Sequence, residues 1–385
     1  MIFRNARLIF PDGIREGLEL EVRSGKITAI RLGSRALAES SLDIGGNYLA
    51  PGFVDLHVHG ALGRDTMEAS ADAFETICKY HATGGTTALL LTTATAPIDA
   101  ILGVTEAARK CSGQTRQIAG IHVEGPFISK SKPGAQRAAL MRDPAPDVYA
   151  SLLKQADIVK RMTIAPELSG AVQLIDDLVK HNIGPSGGHS DAWEEQARLA
   201  FEHGMRSVTH TFNCMSMSRR RGIDRVAGLL EVALSEPEIV CELIADGHHV
   251  SATLMKMLYR AKGGRGICLV TDATAGAGLP NGSKFSLYET QCVVDGGVCF
   301  LEDRSALAGS AARMIDLVRT MVTQVRVPLH EAVAMATDTP AHAIGLVTKG
   351  QFKIGGDADL VVMSPELDVL RTFVAGEEVF NSRSS

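Results

Sequence analysis

Five apolar, strand-like runs in this chain each end on a residue that can bind a metal or carry a proton. They are 53–59 (FVDLHVH), 118–124 (IAGIHVE), 183–189 (IGPSGGH), 206–210 (RSVTH) and 266–272 (GICLVTD). The residues are His57, His59, Glu124, His189, His210 and Asp272. A parallel barrel assembles its active site at the C-terminal ends of its strands, from several of them at once. Histidine nitrogens and carboxylate oxygens are the donors of a catalytic zinc or iron site. Repeated five times in chain order, the pattern predicts a metallohydrolase built on a barrel.

The stretches between these runs complete the count. Further strand-like segments lie at 88–93, 161–165 and 239–245, and amphipathic helical stretches such as 70–82 and 171–181 fall between strands. Eight strand–helix steps predict an α/β fold, a (β/α)8 TIM-like barrel, over 51–350. Residues 1–50 and 351–385 both read as short strands separated by Gly and Asp turns. The two ends are expected to meet in one small β-sandwich domain. A β-rich patch at 284–302 reads as a hairpin turning at Asp295-Gly296-Gly297.

Composition removes several function classes. The chain has 385 residues and a net charge of −5, which leaves no electrostatic footprint for nucleic acid or an anionic membrane. No apolar run approaches the ~20 residues of a membrane span. The first residues alternate like a strand and lack the apolar core of a signal peptide. The seven cysteines are scattered without a CxxC pair, which reads as reduced thiols in a cytoplasmic protein.

On a strand, the alternation in His57-x-His59 turns both imidazoles to one side, where they can share a metal. Glu124 closes its strand before Gly125-Pro126. A carboxylate buried there without a cation would cost roughly several kcal/mol or stay protonated. His122 should share the side of Glu124, and its role is open. His189 follows Ser186-Gly187-Gly188, whose missing bulk leaves room for a ligand. Glu124, His189 and His210 together make a three-ligand site with a position left for water. Asp272 could take a proton from that water and deliver it to a leaving amine. The competing roles are structural: solvated histidines before Gly60, an arginine partner for Glu124, and a helix N-cap at Asp272.

The motifs PGFVDLHVHG (51–60), HVEGPF (122–127), GGHS (187–190), THTFNCM (209–215), ADGHHV (245–250), TDATAGAG (271–278), LAGS (307–310) and GGDADLVV (355–362) span almost the whole chain. They resemble the amidohydrolase superfamily and, within it, the N-acetylglucosamine-6-phosphate deacetylases. HVEGPF, THTFN and ADGHHV are the specific carriers. The resemblance implies hydrolysis of the N-acetyl group of an amino-sugar 6-phosphate to the free amine and acetate. It assigns a divalent zinc or iron ion to Glu124, His189 and His210, and gives His57 and His59 the place of a second that Glu124 could bridge, so that one or two ions per subunit are implied. Asp272 becomes the acid/base. Asn213 and the backbone of Cys214 would meet the phosphate, and His249 the sugar. The backbone of Leu307, Ala308 and Gly309 would wall the acetyl pocket. Arg221, in the cluster 219–221, would add positive charge for the phosphate. A homodimer is implied, in which a partner subunit completes the phosphate site.

Two departures stand out. Where the family carries a histidine that helps bind the substrate and polarise its carbonyl, this chain has Ala135-Gln136. Glutamine can donate a hydrogen bond there but cannot carry charge. The arginine loop is also one residue longer than the family pattern before Gly228. Three alternatives remain: the galactosamine epimer as substrate, a cyclic-amide amidohydrolase, and a silent sugar-phosphate sensor. The second usually needs a lysine at the end of the fourth strand, where this chain reads RMTIAPE.

Overall fold

The computed structural model describes residues 1–33 and 40–384. Eight parallel strands pair in chain order: Phe53–Val58, Thr86–Thr93, Ile118–Glu124, Val159–Ile164, Gly184–Gly187, Ser207–Val208, Val240–Leu243 and Ile267–Leu269. All eight stand where the sequence predicts barrel strands. Every residue of Phe53–Val58 and Thr86–Thr93 is buried, as in a parallel sheet covered on its outer face by helices. The sheet closes through backbone bonds between its first strand and the segment after its last. The Asp272 N–H donates to the His57 carbonyl at 2.9 Å, and the His59 N–H to the Ala273 carbonyl at 2.8 Å.

The fifth, sixth and eighth strands stop short of the polar residues that end their sequence runs. The reason lies in the residues that end those runs: His189, His210 and Asp272 have φ of 47°, 29° and 48°. A left-handed backbone cannot continue a β ladder, so each of these residues leaves the sheet and turns its side chain to the barrel mouth. The same conformation that shortens the strand aims the functional group.

The helices Ala71–Ala82 and Ala171–Lys180 match the expected stretches to within a residue. The first starts at Ser70, whose Oγ accepts from the Ala73 N–H at 3.3 Å, and it buries Phe74, Ile77, Cys78 and His81 on one face. The chain ends meet in one eight-stranded sheet, where Leu360–Met363 pairs antiparallel with Tyr48–Pro51 and Ile2–Phe10 lies next to the latter. Phe3, Leu8, Leu20, Leu49, Leu360 and Phe373 form its own core, apart from that of the barrel. The patch expected as a hairpin is a three-stranded antiparallel sheet of Lys284–Leu287, Thr290–Asp295 and Val298–Leu301. Its second turn uses Gly296 and Gly297 at φ of 59° and 78°, as a tight hairpin requires. Among the described residues no helix is long and apolar enough to cross a membrane.

His81 supplies a pH dependence of the fold itself. It is fully buried, its Nε2 lies 3.3 Å from the Gly60 carbonyl, and burial pulls its pKa from 6.5 to about 4. The unfolded chain therefore binds a proton between these values that the folded chain refuses. Its contribution is fully present above pH 6.5 and is lost as the pH falls toward 4, about 3 kcal/mol in all. Urea midpoints measured against pH should fall less steeply over that window in His81→Gln than in the parent protein. Equal slopes would show that His81 does not titrate with unfolding.

Candidate metal centre and active site

The six residues singled out at the strand ends converge at the barrel mouth. Glu124 lies between two groups of histidines. Its Oε1 is 3.3 Å from His189 Nε2 and 3.2 Å from His210 Nε2, and those two nitrogens are 3.1 Å apart. Its Oε2 is 3.2 Å from His59 Nε2, which is 3.2 Å from His57 Nε2. Asp272 Oδ1 stands 3.3 Å from His57 Nε2 and 3.4 Å from His59 Nε2. Bonds of ~2.0–2.1 Å to a tetrahedral ion put neighbouring donors about 3.3 Å apart. The donor atoms of Glu124, His189 and His210, and of His57, His59 and Glu124, thus have the spacing and the chemistry of metal ligands.

The electrostatics agree with that reading. Burial alone would raise the Glu124 carboxyl, yet His57, His189 and His210 hold it well below the usual range. Asp272 is likewise held low, against burial, by His57 and His59. Burial lowers the His59 imidazole, but Asp272 and Glu124 outweigh it and lift it to about 9. Two buried carboxylates demand positive charge, which a divalent cation supplies without forcing protons onto the histidines.

Neighbouring groups orient the clustered donors. His189 Nδ1 lies 2.7 Å from the Lys132 carbonyl and His210 Nδ1 3.2 Å from the Asn213 carbonyl. A carbonyl can only accept, so each ring presents an Nε2 lone pair to the centre. Gly188 is needed beside them, because a Cβ there would stand 2.8 Å from Thr209 Cβ. His122 is fully buried behind His57, ring centroids 4.5 Å apart, and bonds Thr163 Oγ1 at 2.8 Å. Burial and the nearby His57 and Arg161 push its pKa well down. It packs against His57 and is not one of the clustered donors.

Above the centre lies a cavity of about 210 Å³. Ala135, Gln136, Asn213, Cys214, His249, Leu307 and Gly309 line it, together with His59, Glu124, His189, His210 and Asp272, while His57 lies behind them. Ala308 is wholly buried behind the wall, where its carbonyl accepts from Thr274 Oγ1 at 3.1 Å. The Gln136 amide is already engaged: its Oε1 accepts from the Thr95 N–H at 2.7 Å and its Nε2 donates to Glu124 Oε2 at 2.5 Å. Arg221 is not brought to this cavity within the chain. It sits on an exposed two-stranded hairpin, Arg219–Arg221 with Asp224–Val226, where Glu195 holds its Nη1 at 2.5 Å and its guanidinium lies over Trp193.

Other residues at the site were not anticipated. Asp246 Oδ2 lies 2.7 Å from His249 Nδ1, and its Oδ1 accepts the N–H groups of His248 and His249. The spacing within ADGHHV carries that signal. Leu287 and Ala306, from the insert after the eighth strand, close the cavity from one side, which no local pattern announces. Glu242 and Arg161 lie inside the barrel beneath His57.

The amidohydrolase family model matches residues 48–379. The N-acetylglucosamine-6-phosphate deacetylase of Vibrio furnissii is 32% identical over 94% of this chain and 90% of its own length. The N-acetylgalactosamine-6-phosphate deacetylase of Escherichia coli O157:H7 is 30% identical over 98% of both. Among solved structures, an aspartate-to-alanine mutant of the Mycobacterium smegmatis N-acetyl-D-glucosamine-6-phosphate deacetylase, in complex with N-acetyl-D-glucosamine-6-phosphate, superposes with a TM-score of 0.91 at 31% identity over 99% of each chain.

Proposed function

This chain belongs to the amidohydrolase family, and on that premise we propose that it hydrolyses the N-acetyl group of N-acetylglucosamine 6-phosphate to glucosamine 6-phosphate and acetate. The observation that carries the reading is the pair of donor groups sharing Glu124, with Asp272 beside them at the floor of the cavity. A zinc or iron ion on Glu124, His189 and His210, with a second on His57, His59 and Glu124, would polarise the acetyl carbonyl and lower the pKa of water.

The chain's own residues do the rest. Asp272 takes the proton of the attacking water and returns it to the departing amine, so that the sugar leaves as a neutral amine. Gln136 holds Glu124 rather than the substrate, which leaves carbonyl polarisation to the centre itself. His249, its Nδ1 fixed by Asp246, offers Nε2 to the sugar. Asn213 and the Cys214 backbone receive the phosphate, and Leu307 and Gly309 bound the acetyl group. Arg221 is engaged on an exposed hairpin of its own chain, which favours a homodimer in which it serves the phosphate of the neighbouring subunit. Seven free cysteines favour a cytoplasmic setting.

A cyclic-amide substrate is disfavoured because the fourth barrel strand offers no lysine at its C-terminal end, where Thr163 and Ile164 stand. A silent sensor would have no use for an intact Asp272. The galactosamine epimer is the one serious rival, given the Escherichia coli relative. Acetate release from both N-acetylated hexosamine 6-phosphates, on protein of counted metal content, tests the proposal. Turnover that a chelator abolishes and a divalent metal restores is the expected result, and the faster epimer names the substrate. No release from either, with metal bound, would refute the deacetylase reading.

A further inference from the structure

Inside the barrel, beneath the ligands, lies a charged pair that the reaction as described does not use. Glu242, on the seventh barrel strand, is fully buried, and Arg161, on the fourth, is 2% exposed. Arg161 Nη2 lies 3.0 Å from Glu242 Oε1 and donates to Ser186 Oγ at 2.7 Å. The other carboxylate oxygen, Oε2, accepts the His210 N–H at 3.1 Å and lies 3.5 Å from His57 Nδ1. One carboxylate thus reaches a ligand of each donor group.

Stability gives little reason to keep such a pair. Removing two charges from water costs about as much as their attraction returns, and apolar side chains of similar volume often serve as well or better. The contacts of the carboxylate supply the reason. A histidine that donates Nδ1–H to a carboxylate is fixed in one tautomer and orientation, and its Nε2 becomes a better donor to a metal. His57 Nε2 is the atom that faces His59 and Glu124. The remaining ligands are oriented differently, since His189 and His210 turn Nδ1 to neutral backbone carbonyls. His59 Nδ1 is buried with no partner among the described residues. Among the described residues, the Nδ1 atoms of His57 and His59 therefore have one ionic contact between them, that of Glu242 on His57.

Resting on the reading that both groups hold metals, we propose that Glu242, anchored by Arg161, is a positioning residue for the second metal, retaining it through His57. The His210 N–H can still be accepted by a neutral carbonyl, so the first group should depend on the charge far less.

Metal-free protein titrated with cobalt(II), followed by its visible absorption and by equilibrium dialysis, tests this. The unaltered chain should bind two ions. Glu242→Gln combined with Arg161→Met removes both charges and leaves none unpaired. It should keep the first ion and weaken the second by about 10–100-fold, with no loss of thermal stability. Glu242→Gln alone should weaken the second ion equally, which separates the carboxylate's role from mere charge balance. Wild-type affinity for both ions in the two variants would overturn the inference and leave the two-metal reading standing. An unaltered chain that binds one ion would overturn both.

Discussion

Asp272→Asn should lower kcat by about 10²–10⁴-fold, the range that removal of a general acid–base group commands, while the ion on Glu124, His189 and His210 stays in place. Asparagine keeps the size and shape of the side chain but cannot take up a proton. Asp272 is well placed to do so, because it leaves the eighth strand at a φ of 48° and its carboxylate stands at the cavity floor. The surrounding backbone fixes it tightly: a Cβ on Gly309 would lie 2.5 Å from the Asp272 carbonyl oxygen. Neither donor of the His189–His210 group is within its reach, so metal content there should not follow kcat. Turnover at saturating metal, with metals counted by mass spectrometry on the same sample, makes the comparison. Near-normal turnover in Asp272→Asn would take Asp272 off the proton's path.

The barrel was legible because its signals are local. Each strand run carries its own apolar character and its own polar terminus, and the helices between them bury one face at helical spacing. The clustering of the donors could be read for the same reason: a histidine or carboxylate ending an apolar run has few other places to go when four more do so in order. What depended on distant pairing was harder to see. Gln136 is separated by 41 residues from the Thr95 N–H that fixes its amide, so the sequence registers a missing histidine but not the new attachment to Glu124. Arg161 and Glu242 meet only because the barrel curves the fourth strand toward the seventh. Glu242 did leave a trace, as the lone charge within the apolar run 239–245. The role of Arg221 is implied by the family resemblance alone, whereas Glu195 and the Trp193 ring hold it on a hairpin outside the cavity of its own chain.

Glu124→Gln should be the most damaging single change, because one side chain belongs to both donor groups. An amide offers one carbonyl oxygen and no charge, so it cannot serve His189 and His210 through one oxygen and His59 through the other. Metal content should fall at both positions, by more than the about 10–100-fold that loss of an orienting neighbour causes, and added zinc should not restore turnover. His59→Gln is the informative contrast. It removes a donor from one group and leaves Glu124, His189 and His210 intact, so a single tightly held ion should remain. Metal counts on the two variants therefore separate a shared bridge from two independent sites. If Glu124→Gln kept an ion on the His57–His59 side, the carboxylate would not be the bridge. The burial of Glu124 among four imidazoles would then need another explanation, with a substantial desolvation cost set against it.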